Sequence, residues 1–180
     1  MIKLTHILRE NESKKLRIFD FDDTLAISNS RIKVSGVDGK VFYLTPGEYA
    51  VYDARKGDTF DYSEFERLID PKEIKAMTKV LKAFYNSRGK RRLTILTARG
   101  SKAKSAIADF MKKIGIPNIE IITVDSSDPK KKADWIEDKI KQGYNDVFFA
   151  DDSEKNVRAV SYLKTKYPSV RWEIRLAKYR

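Results

Sequence analysis

Leu16-Arg17-Ile18-Phe19-Asp20-Phe21-Asp22-Asp23-Thr24-Leu25 is the stretch that decides how this chain folds. An apolar run ends here in two acidic residues spaced two apart. The run reads as a buried strand, along which successive side chains alternate between faces. Past its end the chain can turn, so that Asp22 swings back to the side on which Asp20 stands. A carboxylate taken out of water is costly unless it is paired or bound to a metal. Asp20 and Asp22 in one place, beside Asp23, imply an invited cation. The bland alternative is that Asp22, Asp23 and Thr24 end a strand and cap a turn. The remainder of the chain decides against it.

Four further apolar runs read as strands: Leu93–Leu96, Ile119–Val124, Val147–Ala150 and Val170–Leu176. Helical patterns lie between them, over 71–87 (opened by Pro71), 101–114, 131–142 and 153–167, several followed by glycine. Strands alternating with helices of this length predict βαβ units. The expected architecture is a Rossmannoid three-layer α/β/α sandwich around a mostly parallel five-stranded sheet, formed by 16–25 and 71–180. Residues 26–70 break the rhythm. They carry a hairpin signal, Val37-Asp38-Gly39-Lys40, and a cluster of tyrosines and phenylalanines. The expectation is a small cap inserted after the first strand, above the sheet edge where ligands of parallel sheets bind. Residues 1–15 read as an N-terminal helix or arm, with His6 inert.

Composition narrows the chemistry. The 180 residues contain no cysteine and one histidine, which excludes thiol catalysis, thiolate zinc sites and a histidine-rich metal cluster. Absent cysteines and the lack of a long apolar run predict a cytoplasmic protein with no membrane partner. The net charge of +11 is uneven, −2 over residues 1–70 and +13 over 71–180. That asymmetry suggests an anionic partner or substrate, although Lys-rich helices can be merely soluble surface.

Four strands are followed by polar residues that would meet at one sheet edge. They are Asp20 and Asp22; Thr97-Ala98-Arg99-Gly100; Asp125-Ser126-Ser127, leading to Lys130-Lys131-Lys132; and Asp151-Asp152. Such a set suits a phosphate monoester, whose charge a divalent cation, Lys132 and Arg99 would offset. Ligands that are all oxygen favour Mg²⁺ over zinc or copper.

The chain resembles phosphatases of the haloacid dehalogenase superfamily over nearly all of residues 16–176. Asp20-x-Asp22-x-Thr24 matches that family's first motif, Thr97 its second, a lysine opening a helix its third, and Asp151-Asp152 its fourth. Lys132 is the lysine chosen, with Lys131 its rival; Asp23 stands where glycine is commoner. The resemblance implies Asp20 as nucleophile, Asp22 as acid and base, and Thr97, Arg99 and Lys132 around the phosphate. It also implies Mg²⁺ held by Asp20, Asp22 (through its carbonyl), Asp151 and Asp152. Receiver domains place the acidic pair on the first strand and a single acceptor later, the opposite order. A metal-dependent nuclease has no use for Thr97 and Lys132. A catalytically silent protein of the same fold remains an alternative.

Thr97-Ala98-Arg99-Gly100 is also similar to the corresponding segment in the phosphatase half of bacteriophage polynucleotide kinases. That likeness implies a substrate at nucleic-acid ends, with basic Lys102, Lys104, Lys130, Lys131, Lys155 and Arg158 near the catalytic edge. Arg88, Lys90, Arg91 and Arg92 would lie at the far edge. The cap tyrosines could stack bases, but filling the cap's own core is the preferred reading. The alternative substrate is a small nucleotide or sugar phosphate.

Overall fold

The computed structural model describes residues 13–178. The N-terminal segment expected over 1–15, His6 included, lies up to residue 12 outside the described residues. Ten strands and five α-helices follow. In chain order these are β1 (Lys15–Phe19), β2 (Ala26–Ile27), β3 (Ile32–Ser35), β4 (Val41–Leu44), α1 (Pro46–Val51), β5 (Thr59–Asp61) and β6 (Lys72–Glu73). Then come α2 (Lys75–Asn86), β7 (Arg92–Thr97), α3 (Lys104–Lys113), β8 (Glu120–Thr123), α4 (Pro129–Lys141), β9 (Asp146–Asp151), α5 (Glu154–Lys166) and β10 (Arg171–Leu176).

Five strands form a wholly parallel sheet in the order β10-β9-β1-β7-β8, with β1 at its centre. Alternation along the strands sorts the core into two layers. Phe19, Ile95, Phe148 and Ala150 pack against Leu81 of α2 and Ile107, Phe110 and Met111 of α3. Their neighbours Ile18, Leu96, Val147 and Phe149 face the other way, against Ile136 and Ile140 of α4 and Val160 and Leu163 of α5. Helices thus cover both faces of the sheet, a Rossmann-like arrangement. Fully burying an aliphatic or aromatic side chain contributes about 1.5–3 kcal/mol, so these two layers dominate stability.

The register positions the site. Phe19 of β1 pairs with Ala150 of β9 on one side and Ile95 of β7 on the other. The next residue, Asp20, donates its N–H to Ala150 O at 2.9 Å, which sets it beside Asp151. β1 stops at Phe19 because the chain then turns: Leu25 and Ala26 both donate to Phe21 O. Asp23 sits in that turn with φ 52°, a left-handed conformation that glycine adopts freely and Asp tolerates.

The insertion stands on a two-legged stem. Ala26 and Ile27 pair antiparallel with Glu73 and Lys72. Above them Ser30 accepts the Ile69 N–H and donates to Arg67 O. The stem therefore takes Lys72 and Glu73 out of the helix expected to open at Pro71, and α2 begins at Lys75 instead. Beyond it lies a three-stranded antiparallel sheet, β4-β3-β5, with α1 beside it. Gly39, at φ 77°, closes the predicted β3–β4 hairpin by donating to Gly36 O. Phe42, Tyr49, Tyr52, Phe60 and Tyr62 meet edge to face or stacked in one half-buried cluster of the cap, with Tyr62 exposed.

Candidate active site

The C-terminal ends of β1, β7, β8 and β9 open into a cavity of about 510 Å³ beneath the cap. Core residues Asp20, Asp22, Lys132 and Asp152 line it from below, and cap residues Tyr49, Tyr62 and Phe65 from the other side.

At its floor Asp20, Asp151 and Asp152 each bring a carboxylate oxygen within 4.8 Å of the others. Asp20 and Asp151 are buried. Lys132, 2% exposed, reaches between them: its Nζ donates to Asp20 Oδ1 at 2.5 Å and to Asp151 Oδ2 at 2.7 Å. This decides between the two candidate lysines, since Lys131 is exposed. The helix phase explains it. α4 starts at the Asp128 N-cap and Pro129, two residues earlier than expected, and buries Lys132 together with Ala133 and Ile136.

Further contacts fix the acids. Asp151 accepts the Ser153 N–H at 2.9 Å and both its oxygens lie 3.0 Å from Asn156 Nδ2. Asn156 is a site residue that the sequence reading missed. Its signal is the first turn of a helix whose N-cap, Ser153, accepts the Asn156 N–H. Thr24 anchors Asp152 by accepting its N–H at 3.0 Å.

Electrostatics favour a cation here. Burial pushes the Asp20 carboxyl well above the usual carboxylate range, against the pull of Lys132 and with the help of Asp151, Asp152 and Asp22. Burial, then Asp151 and Asp23, push Asp152 up to about 7. Burial opposes the charge on Lys132, but Asp151 and Asp20 outweigh it and hold the ammonium protonated above its ordinary range. Two buried carboxylates and a third at the cavity wall, all oxygen donors, fit a hard divalent cation such as Mg²⁺. Asp20, Asp151 and Asp152 are the residues that would hold it.

Three of the expected site residues lie outside the acidic cluster. The Asp22 carboxylate does not join the acidic cluster. Both its oxygens are taken by Arg99, from Nε at 2.9 Å and Nη2 at 2.7 Å. Arg99 is 1% exposed and lines the cavity, its guanidinium engaged by Asp22 and by the cap stem at Ser28 and Phe65. Thr97 is fully buried and does not line the cavity. It is still within β7, paired with Thr123, and its Oγ1 accepts the Arg99 N–H at 3.2 Å, which shapes the loop Ala98–Ser101 that does line it.

Among the expected basic residues, Lys102 and Lys155 line the cavity. Lys104, Lys130, Lys131 and Arg158 do not; Lys130 pairs with Asp134 and Arg158 with Glu154 along their own helices. Arg92 opens β7 at the opposite end of the sheet, paired with Glu120. Among the described residues no helix is long and apolar enough to cross a membrane. Comparison with protein-family models, with curated proteins and with solved structures finds no match to this chain.

Proposed function

We propose that the protein is a Mg²⁺-dependent phosphatase of the haloacid dehalogenase type, hydrolysing phosphate monoesters through an aspartyl phosphate on Asp20. One observation carries this reading: a buried lysine joins two buried aspartates at the C-terminal edge of a parallel sheet, beside a third carboxylate and a cavity under a cap.

Asp20 is the nucleophile: its carboxylate oxygen attacks phosphorus and the ester P–O bond breaks. Asp22 gives a proton to the departing oxygen. It then takes one from the water that attacks phosphorus and releases Asp20 and inorganic phosphate. Lys132 draws the phosphoryl oxygens toward Asp20 and opposes the burial that favours a proton on Asp20. A bound Mg²⁺ supplies charge neutralisation of the phosphoryl oxygens. Asn156, Ser153 and Thr24 hold Asp151 and Asp152 in place.

The cavity wall favours a nucleic-acid end as substrate. Lys102, which pairs with Glu66, and Lys155 line the same cavity as Tyr49, Tyr62 and Phe65, and cations with aromatic faces suit a phosphodiester chain and its bases. A small nucleotide or sugar phosphate is the second reading, favoured by the limited volume of the cavity. The reading as a phosphatase is tested by Mg²⁺-dependent turnover of p-nitrophenyl phosphate, with acid-quenched protein digested to find a phosphoryl group on the Asp20 peptide. Turnover without that adduct, or a silent protein, overturns it.

A further inference from the structure

We propose that Arg99 is a positioning residue for Asp22: its guanidinium fastens the Asp22 carboxylate to both legs of the cap stem, so that the seating of the cap sets the direction in which Asp22 points. The role given to Asp22 rests on the reading above; the fastening itself does not.

An arginine has five N–H donors in a rigid plane. All five are accounted for. Nε and Nη2 grip the two oxygens of Asp22 at 2.9 and 2.7 Å, a bidentate pair. The second Nη2 donor reaches Ser28 Oγ at 2.9 Å, just beyond β2 on the outgoing leg. Nη1 donates to Phe65 O at 2.6 Å and Arg67 O at 3.4 Å on the returning leg. The guanidinium also lies over the Phe65 ring, 4.2 Å from its centre. No donor remains for a phosphate oxygen, so Arg99 acts through Asp22.

The two acids at the end of β1 are sorted between two cations: Asp20 belongs to Lys132 and the acidic cluster, Asp22 to Arg99 and the cap. Burying a guanidinium is expensive unless every donor is satisfied. Here the acceptors come from three separate segments, residues 22, 28 and 65–67. Displacing either leg therefore strips Arg99 of partners and loosens its hold on Asp22. Binding of a substrate under the cap and orientation of Asp22 become one event.

The test compares wild type, Arg99→Lys, Asp22→Asn and the double variant on two substrates. The leaving group of p-nitrophenyl phosphate departs without a proton, whereas an alkyl phosphate needs one. General acid–base catalysis contributes typically 10²–10⁴-fold, so Arg99→Lys should lower kcat on the alkyl phosphate by about 10²-fold, and on the aryl phosphate far less. KM should stay within about twofold. The double variant should be no slower on the alkyl phosphate than Asp22→Asn alone, because both changes remove one function. Ser28→Ala with Phe65→Leu, which leaves the charge pair in place, should give the same pattern at smaller size and serves should Arg99→Lys not fold. Equal losses on both substrates with a raised KM would make Arg99 a phosphate ligand and overturn the proposal. Hydrogen exchange supplies an arm independent of activity. Asp22→Asn should accelerate amide exchange at the stem, residues 28–30 and 65–69, as Arg99→Lys does. Unchanged stem exchange in Asp22→Asn overturns the fastening. Absent Asp20-dependent turnover overturns the phosphatase reading alone.

Discussion

Lys132 Nζ stands 2.5 Å from Asp20 Oδ1 and 2.7 Å from Asp151 Oδ2, with all three side chains out of water. The lysine is the positive charge at the centre of a negative cluster. Removing one partner of a buried ion pair destabilises by about 3–5 kcal/mol, because the other charge stays buried and unmatched. Lys132→Met should lose stability on that scale in chelator, measured by denaturant unfolding. Added Mg²⁺ should restore a large part. A variant as stable as wild type without metal would show that the acids are already neutral there.

Metal binding gives a second prediction. A ligand that binds only the folded state raises its melting temperature by mass action. Mg²⁺ should therefore raise the transition of the wild type, and Asp151→Asn should remove most of that rise. Asp22→Asn should keep it, since the Asp22 carboxylate is turned to Arg99 and lies outside the cluster. If Asp22→Asn abolishes the shift while Asp151→Asn keeps it, the metal sits elsewhere.

Much of this could be read from the sequence, and the limits are instructive. The apolar run from Leu16 to Phe19 and those of the strands paired with it make the parallel sheet legible, since a sheet covered by helices on both faces needs near-continuous apolar strands. Asp20, Lys132 and Asp151 converge as expected because each follows a strand end or opens a helix, where period and register leave little freedom. Arg99 is beyond local reading because long-range partners decide which way it points, whereas Asn156 is held by Asp151 only five residues before it and carries no pattern that marks a site residue. Arg99 meets Ser28 and Phe65 from the cap, and no local pattern carries that contact. The β2–β6 stem was invisible because two-residue strands have no periodicity to read.

Proton uptake by the cluster is the third prediction. In the metal-free protein Asp152 is raised from 3.8 to about 7 by burial and by Asp151 and Asp23. A group whose folded value is raised contributes stability below its unfolded value and loses it as pH rises through the folded one. The melting temperature of Asp152→Asn minus that of wild type, both in chelator, should therefore climb from pH 5 to pH 8. Saturating Mg²⁺ should abolish or reverse the climb, because the metal holds the carboxylates ionised. A difference that stays flat in chelator would mean Asp152 is ionised throughout.

Substrate class is the fourth prediction. If nucleic-acid ends are the substrate, each neutralised phosphate releases counterions, and affinity for a single strand falls with a log–log salt slope of about 0.7 per contact. Activity on a 3′-phosphorylated oligonucleotide should then drop steeply with salt, while p-nitrophenyl phosphate turnover, served by buried Lys132, should barely respond. Lys102→Gln with Lys155→Gln should raise KM for the oligonucleotide alone, since both residues line the cavity. Gln at Arg88 and Lys90, which precede β7 at the far edge of the sheet, is the control and should leave both reactions unchanged. Lys130→Gln should also be silent, because Lys130 pairs with Asp134 away from the cavity. Equal salt dependence for the two substrates, or turnover of nucleotides and sugar phosphates but not of the oligonucleotide, would assign a small phosphoester and leave the +11 charge a property of the surface.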